Sequence, residues 1–206
     1  RPRFFDTDRP TVLYNPHFDP VLSSWWDMGL GVLEWFAGQD DYNLIFAPHV
    51  MLFRRRLHTS VEHRRVRRRR AIPERLRNLS HILIDTGSRN SVDMSYVLAA
   101  DIYLGDGSSQ IYEWIYNPRP CIFLNSHNAP WQGNPSYAHW NMGQVIDRVS
   151  ALPHALAVAQ AQQAVFAQRQ REAFAATFHT VAGQTAACRA AREIVYYLLQ
   201  DKRAAA

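Results

Sequence analysis

Five short polar clusters each follow an apolar run: Asn15-Pro16-His17, Pro48-His49, Asp85-Thr86-Gly87-Ser88, Gly105-Asp106-Gly107-Ser108-Ser109 and Asn125-Ser126-His127. Imidazoles, hydroxyls and glycine-freed amides are the groups that handle anions. The stretch from Gly105 to Glu113 says most. Gly105 and Gly107 allow a tight strand-to-helix bend with close backbone approach, and Ser108 and Ser109 set hydroxyls and free amides at a helix start, where the dipole favours negative charge. A phosphate suits that position. With Ile111, Trp114 and Ile115 turned inward, Ser109 and Glu113 share one face about one 5.4 Å turn apart. A carboxylate there accepts hydrogen bonds from ribose hydroxyls beside a bound diphosphate. The competing reading is that Ser108 only caps the helix and Glu113 only meets water. His49 is either a cation or donor facing phosphate across a crevice, or a strand-end histidine satisfied by backbone. His17 either joins it or merely shapes a turn after Asn-Pro. Asp106 either orients a substrate group or braces the glycine bend. His127, Trp131 and His139 lie in a loop-like stretch, Ser126 to Asn141, that either covers a base or acceptor or simply packs.

These clusters need a scaffold that brings them to one edge, and the apolar runs supply it. Strands are expected at Thr11 to Tyr14, Asn43 to Ala47, Ile82 to Ile84, Asp101 to Leu104 and Cys121 to Leu124. They are apolar on both faces, as in a parallel sheet covered by helices, and such sheets bind ligands beyond the carboxyl ends of their strands. Leu22, Trp26, Leu30, Leu33 and Phe36 repeat at helical spacing, with Ser23 or Ser24 as N-cap and Gly38 as stop. A second helix is expected from Asn90 or Ser91 to Ala100. A third starts at Ser108 or Ser109 and is ended by Pro118 and Pro120. The interval from Met51 to Leu79 is expected as a long irregular connection with a short helix after Pro73. After Pro153 the texture turns to Ala, Gln and Arg, and helices are expected near 153–178 and 185–201 with Gly183 as the break. Ile194, Tyr197 and Leu198 are expected to pack on the sheet. The fold class is therefore α/β, a Rossmann-like parallel sheet of about 11–150 plus C-terminal helices of about 151–203, in one domain over 1–206.

Composition narrows the classes. The 206 residues are 47% hydrophobic and 20% charged, which fits a folded soluble chain and leaves no apolar run long enough for a membrane span. Cys121 and Cys188 form neither a disulfide framework nor a metal pair, so a reducing compartment is expected. Arg1 opens the chain instead of methionine, which reads as a piece of a longer protein. The net charge of +5 is concentrated: Arg54, Arg55, Arg56, Arg64, Arg65, Arg67, Arg68, Arg69 and Arg70 face one acid, Glu62, a local +8 that leaves the rest at −3. The cluster is either an anionic-lipid or polyanion patch or a solvated loop; nucleic acid is disfavoured because no aromatics interleave the arginines. His-Glu-x-x-His, Walker, dinucleotide and nucleophile-elbow motifs are missing, which removes the matching metal hydrolase, NTPase, dehydrogenase and serine hydrolase readings.

In order and spacing these features resemble the CDP-glycerol glycerophosphotransferase family, the teichoic-acid-type polymerases, over roughly Thr11 to Ile146. Val12-Leu13-Tyr14-Asn15-Pro16 is similar to the family's opening strand with its Tyr-Ala-Pro-Thr end, Ala47-Pro48-His49 to its Arg-Pro-His-Pro, and Gly105-Asp106-Gly107-Ser108-Ser109 to its Thr-Asp-Tyr-Ser-Ser. Glu113 falls on the acid that follows, and Arg119-Pro120 on a Lys-Pro. His17, Ala47, Val50 and Gly107 depart from the pattern. The resemblance implies the C-terminal, donor-binding half of a GT-B glycosyltransferase fold, with the acceptor half and general base lying outside this chain. It implies His49 and Asp106 as catalytic and Ser108, Ser109, Gly107, Glu113 and His17 as donor-binding, with no metal or other cofactor required. The expected activity is transfer of glycerol phosphate from CDP-glycerol, or of a sugar, to a cell-surface polymer or lipid-linked acceptor, on the inner face of the membrane in the cytoplasm. The fragment alone is expected to bind nucleotide without turnover. The rivals are a UDP-sugar epimerase-like domain and a non-catalytic membrane- or polyanion-binding module with a degenerate nucleotide site.

Overall fold

β1 (Thr11–Asn15) and β2 (Asn43–Phe46) are buried at every position, β3 (Leu57–Ser60) and β4 (Arg65–Arg68) form a separate antiparallel hairpin, and β5 (Ile82–Ile84), β6 (Ile102–Gly105), β7 (Cys121–Leu124) and β8 (Gln144–Ile146) follow. The computed structural model describes residues 2–204. Six of these strands make one parallel sheet in the order β5-β2-β1-β6-β7-β8. The chain walks outward from β1 to β5, returns to the centre at β6, and walks out the other way. That reversal between β1 and β6 is the topological switch of a Rossmann-like sheet, where a crevice opens beyond the strand ends.

Both sheet faces are covered, as the uninterrupted apolar runs require. On one face Val12, Tyr14 and Leu104 pack with Trp25, Phe36 and Leu156; on the other Leu13, Tyr103 and Phe123 pack with Val97, Trp114 and Trp140. Each fully buried large apolar side chain contributes about 1.5–3 kcal/mol, so the sheet is a rigid platform for whatever its ends carry.

The helices are α1 (Leu30–Ala37), α2 (Met51–Arg54), α3 (Ser95–Ala99), α4 (Ile111–Trp114), α5 (Leu152–Thr177) and α6 (Ala186–Ala204). The first is shorter than its periodicity predicts. A π-helical turn occupies Trp25–Gly29; Ser24 does not cap it by side chain, because its hydroxyl is committed to Asp106 at 2.7 Å, while Ser23 Oγ accepts from the Trp25 amide at 3.2 Å. Met94, at a left-handed φ of 66°, interrupts the expected second helix. The Arg-rich interval, expected to be irregular, holds α2 and the β3-β4 hairpin. β8, three half-buried residues opening on Gln144, carries too little apolar signal to be read as a strand. The two C-terminal helices fall close to their expected bounds, with Gly183 at φ 73° between them. However, Ile194, Tyr197 and Leu198 do not pack on the sheet; they are 60%, 68% and 54% exposed.

Candidate functional site

At the switch point β1 ends in Asn15, β2 leads into Pro48-His49, and β6 turns through Gly105-Asp106-Gly107 toward α4. His49 is fastened by its amide, which donates to the Pro16 carbonyl at 3.0 Å, and by Nδ1, which accepts from the Met51 amide at 3.2 Å. His17 is held in the same way, Nδ1 accepting from the Asp19 amide at 3.1 Å. An Nδ1 that accepts leaves the proton of a neutral ring on Nε2. The two imidazole centres are 5.8 Å apart, and Phe18 rests against both, 4.4 Å from His17 and 4.6 Å from His49.

Burial sets their charge. Removal from water pushes His17 down to about 4, with the neighbouring His49 adding to the effect, and lowers His49 as well. Both rings are neutral at pH 7 in the free protein. His49 therefore faces the crevice as a neutral imidazole rather than as the cation its sequence position allowed.

Asp106 is not in the crevice. It is fully buried, and its carboxylate accepts from the Ser24 amide at 2.6 Å, the Ser24 hydroxyl at 2.7 Å and the His17 amide at 2.9 Å. Burial lifts its carboxyl to about 6, opposed by those donors. Its carbonyl accepts from Trp140 Nε1 at 3.1 Å and is 3.2 Å from His139 Nε2. Asp106 thus ties the β6 turn to the segment after β1 and to the 135–142 turns. The bracing reading describes its geometry, and its carboxylate has no path to a ligand in the cleft.

The glycines divide similarly. A Cβ on Gly105 would meet the Tyr103 ring at 2.5 Å, so this position requires glycine; a Cβ on Gly107 would make only ordinary contact with Leu22 at 3.6 Å. α4 starts later than expected, after Gln110, and is one turn long. Ser108 Oγ accepts from the Gln110 amide at 3.3 Å, so the buried Ser108 shapes the turn, while Ser109 is exposed. Ile111, Trp114 and Ile115 do face inward.

A cleft of about 210 Å³ is lined by Asn15, His49, Ser91, Ser108, Ser109, Gln110 and Glu113 together with Val50 and Val92. It brings together His49, Ser108, Ser109 and Glu113 of the residues singled out in the sequence and leaves out Asp106, Gly107 and His17. Burial raises the Glu113 carboxyl. The volume lies below the ~300–1,000 Å³ of pockets that bury a whole drug-sized ligand, so the cleft takes only part of such a ligand. No lysine or arginine lines it.

Three lining residues were not distinguished by sequence: Asn15 as a wall residue, Ser91 and Gln110. Asn15 Nδ2 donates to the Ala47 carbonyl at 2.6 Å, which fixes the amide and leaves Oδ1 buried without a partner. Ser91 Oγ and Gln110 Oε1 are also buried without one; of seven such atoms among the described residues, three belong to this cleft. Orphaned buried polar atoms cost about 1–3 kcal/mol each; the two amide oxygens only accept, so hydroxyls of a bound ligand, and not its phosphate oxygens, would satisfy them.

The comparisons agree with this architecture. The chain is similar to the solved structure of the wall teichoic acid polymerase TagF, with 16% identity and a TM-score of 0.54 over 82% of this chain and 39% of that one. A variant of that polymerase gives a TM-score of 0.58 at 16% identity over 96% of this chain and 45% of that one, and a variant soaked with CDPG gives 0.56 at 18% identity over 96% and 43%. The chain thus spans about two fifths of the length of these structures, and at such identities the likeness establishes a shared Rossmann-like glycosyltransferase fold. No protein-family profile matches the chain, and no curated protein matches its sequence.

Proposed function

We propose that the chain is the donor-nucleotide domain of a transferase, holding the diphosphate of CDP-glycerol, or of a nucleotide sugar, in the cleft between His49 and Ser109. The observation that carries this reading is convergence: the ends of β1, β2 and β6 deliver the Asn15 amide, the His49 imidazole, two serines and the Glu113 carboxylate to one small cleft at the switch point. In the reaction an acceptor hydroxyl forms a bond to the transferred phosphorus or sugar carbon as the bond to the nucleotide phosphate breaks. Charge grows on the departing phosphate. The His49 Nε2–H stabilises it because Nδ1, accepting from the Met51 amide, orients the ring before the charge develops, and the Ser109 hydroxyl adds a second donor.

Phosphate arriving beside His49 favours the imidazolium, so binding takes up a proton. Asp106 acts as a positioning residue, through Ser24 and the His17 amide, and Glu113 accepts from ribose hydroxyls. The acceptor site and general base belong to another domain, and this fragment alone has no turnover. Calorimetric titration of CDP, CDP-glycerol, UDP and UDP-glucose tests the reading: CDP preference assigns glycerophosphate transfer, UDP preference a nucleotide-sugar donor, and silence toward all four overturns it.

A further inference from the structure

The arginine cluster is unused by the cleft, yet the structure gives it a definite shape. β3 and β4 pair antiparallel with Leu57 opposite Arg68, His58 opposite Arg67, Thr59 opposite Val66 and Ser60 opposite Arg65. Directly opposed residues share a face, so His58 and Ser60, both buried, mark the side turned to the domain. That side is anchored: Arg67 pairs with Asp27 at 2.8 Å, His58 Nε2 is 3.0 Å from the Leu52 carbonyl, and Arg69 stacks over Phe53 at 4.7 Å. The other face presents Leu57, Thr59, Val66 and Arg68, and Val61 stands at the tip beside Arg64. Leu57, Val66 and Val61 are 61%, 63% and 86% exposed. Among the described residues Arg67 alone of the nine arginines pairs with a carboxylate. The surface is therefore aliphatic at its centre and cationic around it.

We propose that this hairpin is a membrane-surface anchor that seats Leu57, Val61 and Val66 among the acyl-chain boundary of an anionic bilayer while the surrounding arginines meet lipid phosphates. A soluble polyanion would engage the arginines but leave the three aliphatics in water, and a nucleic acid would call for stacking aromatics, which this face lacks. Anchored β structure with an apolar centre and a basic rim is matched to the headgroup interface, where buried apolar area and electrostatic attraction add. The anchor stands independently of the donor cleft, since it uses different residues and a different ligand.

Co-sedimentation of the chain with vesicles tests it, using pure phosphatidylcholine against phosphatidylcholine mixed with phosphatidylglycerol. Binding is expected on the mixed vesicles and to fall with added salt. The triple substitution Leu57→Ser, Val61→Ser, Val66→Ser, which alters only exposed positions, should lower partitioning about tenfold with all arginines intact. Arg64→Gln with Arg68→Gln should lower it similarly while the Arg67–Asp27 pair keeps the hairpin in place. Circular dichroism on each variant confirms that the domain is folded. Retention of full binding by the serine variant, with equal capture on heparin beads before and after, would mean a polyanion site and overturn the proposal. So would absence of binding to the mixed vesicles.

Discussion

Each residue of the β6 turn has a separate physical task, and substitutions separate them. Gly105→Ala drives a methyl into the buried Tyr103 ring, an overpacking that should cost about 1–3 kcal/mol. Gly107→Ala should stay within about 0.5 kcal/mol, because the new methyl finds only ordinary contact. Urea denaturation of both variants checks the contrast. Asp106 and His17 pull acid stability in opposite directions. The folded protein holds the Asp106 proton up to about pH 6, against an ordinary 3.8, so this contribution favours folding at low pH and fades as pH rises through 6. Folded His17 refuses a proton until about pH 4, against 6.5, so its contribution is present above 6.5 and is lost as pH falls through 4. Asp106→Asn removes the first alone. Its stability deficit relative to wild type should therefore grow by about 2 kcal/mol between pH 7 and pH 4, and a deficit that is flat with pH would contradict the burial argument. Sequence order already singled out this turn, since glycines and serines after an apolar run announce a strand-to-helix bend. The same signal could not say that Asp106 points inward, because that depends on Ser24, which lies 82 positions away in the chain.

Among elements, strands were easier to read than helices, for a reason visible in their burial. β1, β2, β6 and β7 are buried at every position, and such runs stand out against any background. α3 and α4 are five and four residues long, too short to show a 3.6-residue period, and their starts are set by Met94 and by the Ser108–Gln110 turn rather than by local propensity. The β3-β4 hairpin was hidden because arginines occupy positions where a strand usually shows alternating apolar residues. α6 illustrates the opposite error: its periodicity is real, yet its apolar residues from Ile194 to Leu199 are all exposed. Because α6 contributes no buried side chain among its described residues, ending the chain after Thr180 should change Tm by less than about 2 °C. It should also reduce self-association, since it removes a contiguous apolar surface; scanning calorimetry with light scattering reads both. A fall in Tm beyond about 5 °C would mean that α6 supports the sheet.

For the molecule as a whole, the parallel sheet and its switch point explain why residues from three distant segments meet at a cleft of about 210 Å³, where the proposed function places a diphosphate. With no lysine or arginine in its walls, that cleft depends on neutral donors and on a histidine whose pKa burial has lowered. If the cleft holds a diphosphate as proposed, affinity follows the protonation of His49. The most direct measurement is a calorimetric titration of CDP-glycerol into the chain across pH 5.5 to 8.5, repeated on Ser109→Ala and His49→Gln, in buffers of different ionisation enthalpy. The account predicts proton uptake on binding, tighter binding toward low pH, an approximately tenfold loss for Ser109→Ala, and loss of the pH dependence in His49→Gln. Affinity that is level across this range, or unchanged in both variants, would contradict a diphosphate site between His49 and Ser109.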